Sequence, residues 1–298
     1  MELSGLHILL TYQCTFECDH CFVWGSPHQQ GTLTLAQIQQ ILTQAKDTRS
    51  IDRIYFEGGE PFLYYAVLLS GVQAAAGMGF KVGIVSNAYW ANSVEDALAY
   101  LRPFRGLIDN LTISSDLYHY SELMSLQAKN ATAAAEELGI PVGVICVAQP
   151  AEPDAASSLG QVSDGSAVMF RGRAVRELAP RVPPQNWDLF TACPHEDLRD
   201  PGRAHLDPLG NLHICQGISL GNVFETPLKE LCEKYNAEAH PICGPLLVGG
   251  PVALVTEYAL PHEEKYGDAC HLCYEARKML RERFPEILKP NQMYGVGL

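Results

Sequence analysis

Apolar positions in the first half of the chain follow two rhythms in alternation. Short runs rich in β-branched and aromatic residues, near 6–12, 51–57, 80–86, 108–114, 141–147 and 166–171, read as strands, and the stretches between them carry helical periodicity. The first helix is the clearest. Thr34-Leu35-Ala36-Gln37 has the form of a capping box, and Ile38, Ile41, Leu42 and Ala45 fall on one face suited to packing on a sheet. An Ala-rich helix is expected over about 62–77, stopping at Gly77 and Gly79. A third opens with Ser93-Val94-Glu95-Asp96, and a fourth runs over about 121–138 to Gly139. Repeated strand–helix units of this kind predict an α/β protein with a parallel sheet.

After about Pro150 the rhythm breaks. Residues 151–165 read as a loop, and from Arg171 onward prolines and cysteines become frequent. A boundary is expected near 172–190, dividing a core over 1–175 from a small Cys-rich C-terminal extension over 176–298. The 298 residues suffice for a barrel-sized α/β unit with an appendage. A hydrophobic fraction of 47% and a charged fraction of 18% are those of a globular protein without a disordered block.

Charge and cysteine content narrow the function. A net charge of −13 argues against nucleic acid as a partner, because backbone phosphates are held by clustered Lys and Arg. The N-terminus lacks the basic start and apolar core of a signal peptide, and no apolar run is long enough to span a bilayer. A cytoplasmic location with no membrane partner is the expectation. In that setting ten cysteines are better read as metal ligands than as disulfides.

The polar and glycine-rich residues collect at the C-terminal ends of the expected strands, the edge where ligands bind in parallel α/β folds. Cys14, Cys18 and Cys21, spaced C-x3-C-x2-C, follow the first strand; Gly58-Gly59-Glu60-Pro61 follows the second, Ser86-Asn87 the third, and Ser114-Ser115-Asp116 the fourth. Three thiolates on one loop can hold three corners of an iron–sulfur cube and leave one iron open. With His20 as a fourth ligand they could instead close a zinc site, and the spacing alone does not choose.

The two motifs in that order, C-x3-C-x2-C and then Gly-Gly-Glu-Pro, resemble the radical S-adenosylmethionine (radical SAM) superfamily over about residues 6–173. The resemblance implies a partial (βα)6 TIM-like barrel. It also implies a [4Fe–4S] cluster on Cys14, Cys18 and Cys21 whose open iron binds SAM, and cleavage of SAM to a 5′-deoxyadenosyl radical that abstracts hydrogen from substrate. Glu60 with nearby backbone carbonyls would then take the methionine ammonium, while Gly58 and Gly59 let the chain approach closely. Ser86, Asn87, Ser114 and Asp116 would contact the ribose or carboxylate, Arg171 the carboxylate, and His20 the adenine. Tyr118 and His119, crowded at the fourth strand exit, are candidates for the substrate side; Arg173 is expected either at the ligand or in a surface pair with Glu177.

A second constellation lies in the last third. Cys193, then Gly210-Asn211-Leu212-His213-Ile214-Cys215, then Cys270-His271-Leu272-Cys273 at the start of a helical pattern, resemble the SPASM and twitch extensions of the same superfamily. They imply one auxiliary [4Fe–4S] cluster, with a four-cysteine zinc site as the alternative. Cys232 reads as core packing and Cys243 as a possible substitute ligand. Implied partners are a small-molecule or peptide substrate and an electron donor such as flavodoxin or ferredoxin. Because the first strand begins almost at residue 1, a leader-binding module is not expected, which tilts the reading toward a small molecule or a peptide held without a leader domain, with a peptide- or protein-modifying maturase as the alternative. The competitor of another class is a zinc-stapled, non-catalytic binding protein.

Overall fold

The computed structural model describes residues 1–122, 124–150 and 168–297. The loop expected over 151–165 and the start of the strand expected at 166 lie outside them. Strands β1 (Leu3–Thr11), β2 (Arg53–Gly58), β3 (Lys81–Ser86), β4 (Asn110–Ser114) and β5 (Val142–Ile145) alternate with helices α1 (Leu35–Thr48), α2 (Tyr65–Gly77), α3 (Val94–Leu101) and α4 (Leu126–Leu138). Each strand pairs in parallel with its neighbour in sequence. The chain is thus α/β with a mostly parallel sheet, consistent with a partial TIM-like barrel.

The sixth parallel strand is not where the hydrophobic pattern put it. Val168–Phe170 are irregular, because the Phe170 N–H goes to the Asp268 carboxylate (3.1 Å) and the Arg171 N–H to the Met169 carbonyl (2.8 Å). After α5 (Arg173–Glu177) and the two-residue strand β6 (Gln185–Asn186), the chain returns as β7 (Gly202–Leu206), which adds in parallel to the free edge of β1. Strands β8 (Asn211–Cys215) and β9 (Ile218–Asn222) continue antiparallel, giving the order β5-β4-β3-β2-β1-β7-β8-β9. Helices α6 (Leu228–Lys234) and α7 (Cys243–Glu257, broken at Gly249 and Gly250), the short strand β10 (Lys265–Tyr266) and α8 (Ala269–Leu280) complete the fold. Among the described residues no helix is long and apolar enough to cross a membrane.

Local chemistry sets the helix starts. Thr34 and Gln37 form the reciprocal capping box of α1, and Ser93 caps α3. Helix α2 begins later than expected because Pro61–Tyr64 form a separate tight turn, its N-terminus capped by Glu60. Helix α4 starts at Leu126 behind Ser125, not near 121: Asp116 holds the intervening segment in turns by accepting from the Tyr118, His119 and Tyr120 N–H groups.

Alternation along β1 separates two layers. Leu6, Ile8 and Leu10 pack with Ile38, Ile41 and Leu42 of α1 beneath the helices. Leu9 and Tyr12 belong to a second core with Ile214, Ile218, Leu272 and Tyr274 from the C-terminal part. Cys232 sits in the first core, as its place in an amphipathic helix suggested.

Candidate active site and auxiliary metal centre

The strand-end loops meet at a cavity of about 270 Å³. Of the residues singled out in the sequence, Cys14, Cys18, His20, Cys21, Gly58, Gly59, Ser86, Asn87, Ser114, Asp116, His119 and Arg171 line it. The cysteine loop is braced from several directions. Phe16 N–H and Gly25 N–H donate to the Cys14 and Cys21 sulfurs (3.5 and 3.2 Å), and Asn87 Nδ2 reaches Cys14 Sγ (3.6 Å) and Thr15 Oγ1 (3.0 Å). Burial pushes the Cys14 thiol up to about 12 and the Cys18 thiol up as well, with the neighbouring cysteines adding to both. Such thiols become thiolates when a cation shares their charge.

Glu60 does not line this cavity. It is fully buried, its Oε1 accepting from Phe62 N–H (3.0 Å) and Ser86 Oγ–H (2.9 Å) and its Oε2 from Asn87 N–H (2.8 Å). Its carboxylate therefore ties the second loop to the third; burial pushes it up to about 7 against those hydrogen bonds. The glycines before it make room for backbone. A Cβ on Gly59 would sit 2.1 Å from the Gln13 carbonyl oxygen, and Gly59 and Glu60 N–H donate to Thr11 and Gln13 (2.7 and 2.9 Å).

Asp116 is fully buried between two imidazoles. His119 Nδ1 lies 2.8 Å from Oδ1 and His20 Nε2 lies 3.4 Å from Oδ2, while Tyr118 and Val147 N–H donate to the same carboxylate. Burial raises its pKa, but the two histidines outweigh that and hold it below the usual carboxylate range. His20 packs on Tyr118 (4.7 Å between ring centres). Tyr118 itself faces away from the cavity, its hydroxyl donating to the Ala148 carbonyl (3.4 Å).

The segment after Phe170 does more than its sequence suggested. Arg173 is buried and does not pair with Glu177: Nη1 donates to the Cys18 carbonyl and Nη2 to the Gly25 carbonyl, both at 2.8 Å, its N–H donates to the Cys21 carbonyl at 3.0 Å, and Nη2 lies 3.7 Å from the exposed Glu17 carboxylate. It is Arg176 that pairs with Glu177 (2.6 Å). Gly172, at φ 63°, lies against Phe22, where a Cβ would meet backbone atoms at 2.6 Å. The Arg171 guanidinium turns toward Glu196 (2.9 Å) and Cys215 Sγ (3.5 Å), so it stands between this cavity and the next.

That next cavity, about 20 Å³, is lined by all four late candidates, Cys193, Cys215, Cys270 and Cys273, together with Arg171 and Arg277. Cys243 is fully buried and does not line it. Arg277 is 1% exposed, donates to the Cys273 carbonyl (3.2 Å) and the Gln216 carbonyl, and has no carboxylate partner among the described residues. A buried guanidinium needs a counter-charge, and thiolates are the anions at hand.

Sulfur spacing bears on which metal fits. Four thiolates on one zinc ion lie roughly 3.8 Å apart, given Zn–S near 2.3 Å. Among the described residues, three sets of ligand atoms lie within 4.8 Å of one another, and neither group of cysteines forms one of them. Cys270 belongs instead to the close set with His195 and Asp268. Sequence reasoning missed Glu57, Phe16 and Phe22 in the first cavity and Glu196 and Arg277 in the second. Glu57 had a signal, a carboxylate in an otherwise apolar parallel strand.

Residues 8–156, half of the chain, match the radical SAM superfamily. A putative peptide biosynthesis protein of Bacillus subtilis, YydG, is 29% identical over 131 residues, 44% of this chain and 41% of that protein. An S-adenosylmethionine-dependent nucleotide dehydratase of Selenomonas ruminantium is 37% identical over 85 residues, 28% of each. The chain thus spans less than half the length of these relatives. Among solved structures, Streptococcus suis SuiB bound to S-adenosylmethionine is 14% identical with a TM-score of 0.45, over 86% of this chain and 74% of that one.

Proposed function

This chain belongs to the radical SAM superfamily, a family that implies a [4Fe–4S] cluster and SAM, and from that premise we propose that Cys14, Cys18 and Cys21 hold the cluster and the adjoining cavity presents a substrate C–H bond for hydrogen abstraction. The observation that carries this reading is the meeting of those three cysteines with the ends of strands β2, β3 and β4 around one cavity. When bound, the cluster and SAM supply the electron and the 5′-deoxyadenosyl radical, chemistry that side chains do not perform.

The protein's own residues position and exclude. Asn87 and Arg173 fix the cysteine loop; Phe16, Phe22, Val85 and Val147 give the cavity apolar walls that keep water from a reactive species. Asp116 fixes the His119 ring at the cavity, placed to hold a polar substrate group. In the second part, residues 176–298 are read as a SPASM- or twitch-like extension. Cys193, Cys215, Cys270 and Cys273 would hold one auxiliary [4Fe–4S] cluster, with Arg277 as buried counter-charge. With all four irons ligated, that cluster is suited to accept the electron left by substrate oxidation.

For the substrate, the likeness to YydG, a putative peptide biosynthesis protein, favours a peptide, and that to the nucleotide dehydratase a small molecule. A flavodoxin or ferredoxin as electron donor and a cytoplasmic location complete the reading. Protein purified without oxygen is expected to contain iron and sulfide, and with dithionite and SAM to yield 5′-deoxyadenosine and methionine. Zinc in place of iron, or no 5′-deoxyadenosine, would return the chain to the class of zinc-stapled binding proteins.

A further inference from the structure

Below the first cavity, three neighbouring strands bring His7, Glu57 and His205 together. His7 of β1 and His205 of β7 are register partners, and Glu57 of β2 is two residues beyond Tyr55, the partner of His7 on the other side. Alternation puts His7 on the face opposite Leu6 and Ile8, away from the helices, and Glu57 lines the cavity. His7 Nδ1 is 3.4 Å from Glu57 Oε2, His205 Nε2 is 3.1 Å from Glu57 Oε1, and all three ligand atoms lie within 4.8 Å of one another. Tyr55 stacks on His7 (4.8 Å, 14°) and Phe22 meets His205 edge-on (5.7 Å), so both rings are held by packing.

Both imidazoles meet Glu57 at short range, and among the described residues no backbone N–H donates to its carboxylate. Among the described residues Glu57 Oε1 is buried with no hydrogen-bond partner, although the His205 nitrogen is only 3.1 Å away. A nitrogen and an oxygen whose lone pairs converge on a shared ion, each about 2.1 Å from it, sit roughly 3.0–3.5 Å apart in this way. Two other sets have similar spacing, His20 with Asp116 and His119, and His195 with Asp268 and Cys270. Their carboxylates are already spent: Asp116 accepts from His119, Tyr118 and Val147, and Asp268 from His271 and Phe170.

We propose that His7, Glu57 and His205 form a binding site for a divalent transition-metal ion at the floor of the substrate cavity. Two imidazoles and one carboxylate are the ligand set of open sites for zinc and non-haem iron, which keep positions for water or substrate. The side chains are 19%, 14% and 22% exposed, enough for an ion to enter and too little for three idle surface groups. An ion held there would offer a Lewis-acidic anchor for a substrate oxygen, separate from the iron–sulfur chemistry above it.

The test is metal uptake by the cluster-loaded protein, with Co²⁺ as the probe and neither SAM nor reductant present, so failure here leaves SAM cleavage untouched. Protein freed of loosely held metal by a chelator is dialysed against micromolar Co²⁺, then assayed for cobalt and examined by X-ray absorption at the cobalt edge. The expected result is one cobalt per chain with only nitrogen and oxygen neighbours. Glu57→Gln and His205→Gln should each weaken uptake by more than the roughly 10- to 100-fold typical of losing an outer-shell partner, with iron per chain unchanged. No uptake by the wild-type protein, sulfur in the cobalt shell, or undiminished uptake in both variants would each overturn the proposal. If a variant loses iron and fold together, the wild-type uptake and its absorption spectrum still decide.

Discussion

At the scale of single residues, the cysteine loop depends on neighbours that hold no metal. Arg173 spends two N–H groups on the Cys18 and Gly25 carbonyls, deep in the protein. Replacing it by Met keeps the length but strips the Gly25 carbonyl of its Arg173 donor and leaves the Cys18 carbonyl with only the Cys21 N–H (3.0 Å). The expected cost is about 1–3 kcal/mol, that of one buried unsatisfied group, read as a lower urea midpoint; a change below about 0.5 kcal/mol, the range of an ordinary surface substitution, would show the contacts to be idle. Gly59 is constrained differently. The Cβ of Gly59→Ala would collide with the Gln13 carbonyl oxygen at 2.1 Å, and that atom is backbone and cannot swing aside. The variant should lose iron from the first site and 5′-deoxyadenosine formation while the late cysteines keep theirs; a fully loaded, active variant would contradict the packing described. Neither role was legible beforehand. The spacing of the glycines marked the loop, but that they serve the approach of two backbones, and that Glu60 serves Ser86 and Asn87 rather than the cavity, depends on long-range pairing.

At the scale of elements, periodicity and caps were sufficient wherever the structure is local. Strands β1–β5 fall within a few residues of their expected positions, and Thr34, Ser93 and Gly139 mark ends of α1, α3 and α4. What failed was non-local: nothing in residues 202–206 announces that they pair with β1 rather than opening a separate unit. The hairpin of β7 and β8 is fixed by Asp207, fully buried, which accepts from Asn211 N–H (2.8 Å) and Nδ2 (2.9 Å), Leu209 N–H (2.9 Å), His213 Nε2 (3.1 Å) and the Tyr12 hydroxyl (2.9 Å). Burial raises its pKa, but His213 and Asn211 outweigh burial and hold it below the usual value. A carboxyl depressed in the folded state gives stability that is present above its unfolded pKa and lost as pH falls through the folded one. Asp207→Asn should therefore lower the melting temperature at neutral pH and flatten its decline in acid. Parallel acid limbs for variant and wild type would show that the ionised Asp207 contributes nothing.

At the scale of the whole molecule, one short segment couples the two cavities. Phe170 is tied to Asp268, the cap of α8 from which Cys270 and Cys273 project; Arg171 faces Cys215; Gly172 and Arg173 clamp the loop of Cys14, Cys18 and Cys21. The early cysteines and their strand-end partners were readable because superfamily chemistry is concentrated in short motifs. That four late cysteines would share one cavity was readable, but the buried Arg277 beside them was not, since a buried arginine in an amphipathic helix looks like any polar position. Cys270→Ala should destabilise the C-terminal part and remove auxiliary iron while sparing the first cluster, as seen by iron content and limited proteolysis; a variant with normal iron and folding would move the ligand set toward Cys243.

The central claim is that two separate cysteine groups hold two separate clusters and that one of them cleaves SAM. Iron and sulfide per chain, measured on anaerobic wild-type protein and on the triple variant Cys14→Ala, Cys18→Ala, Cys21→Ala, test it most directly. The expected result is about eight irons falling to about four, with loss of all 5′-deoxyadenosine formation. An iron count that does not change, or zinc at the late cysteines in its place, would contradict it.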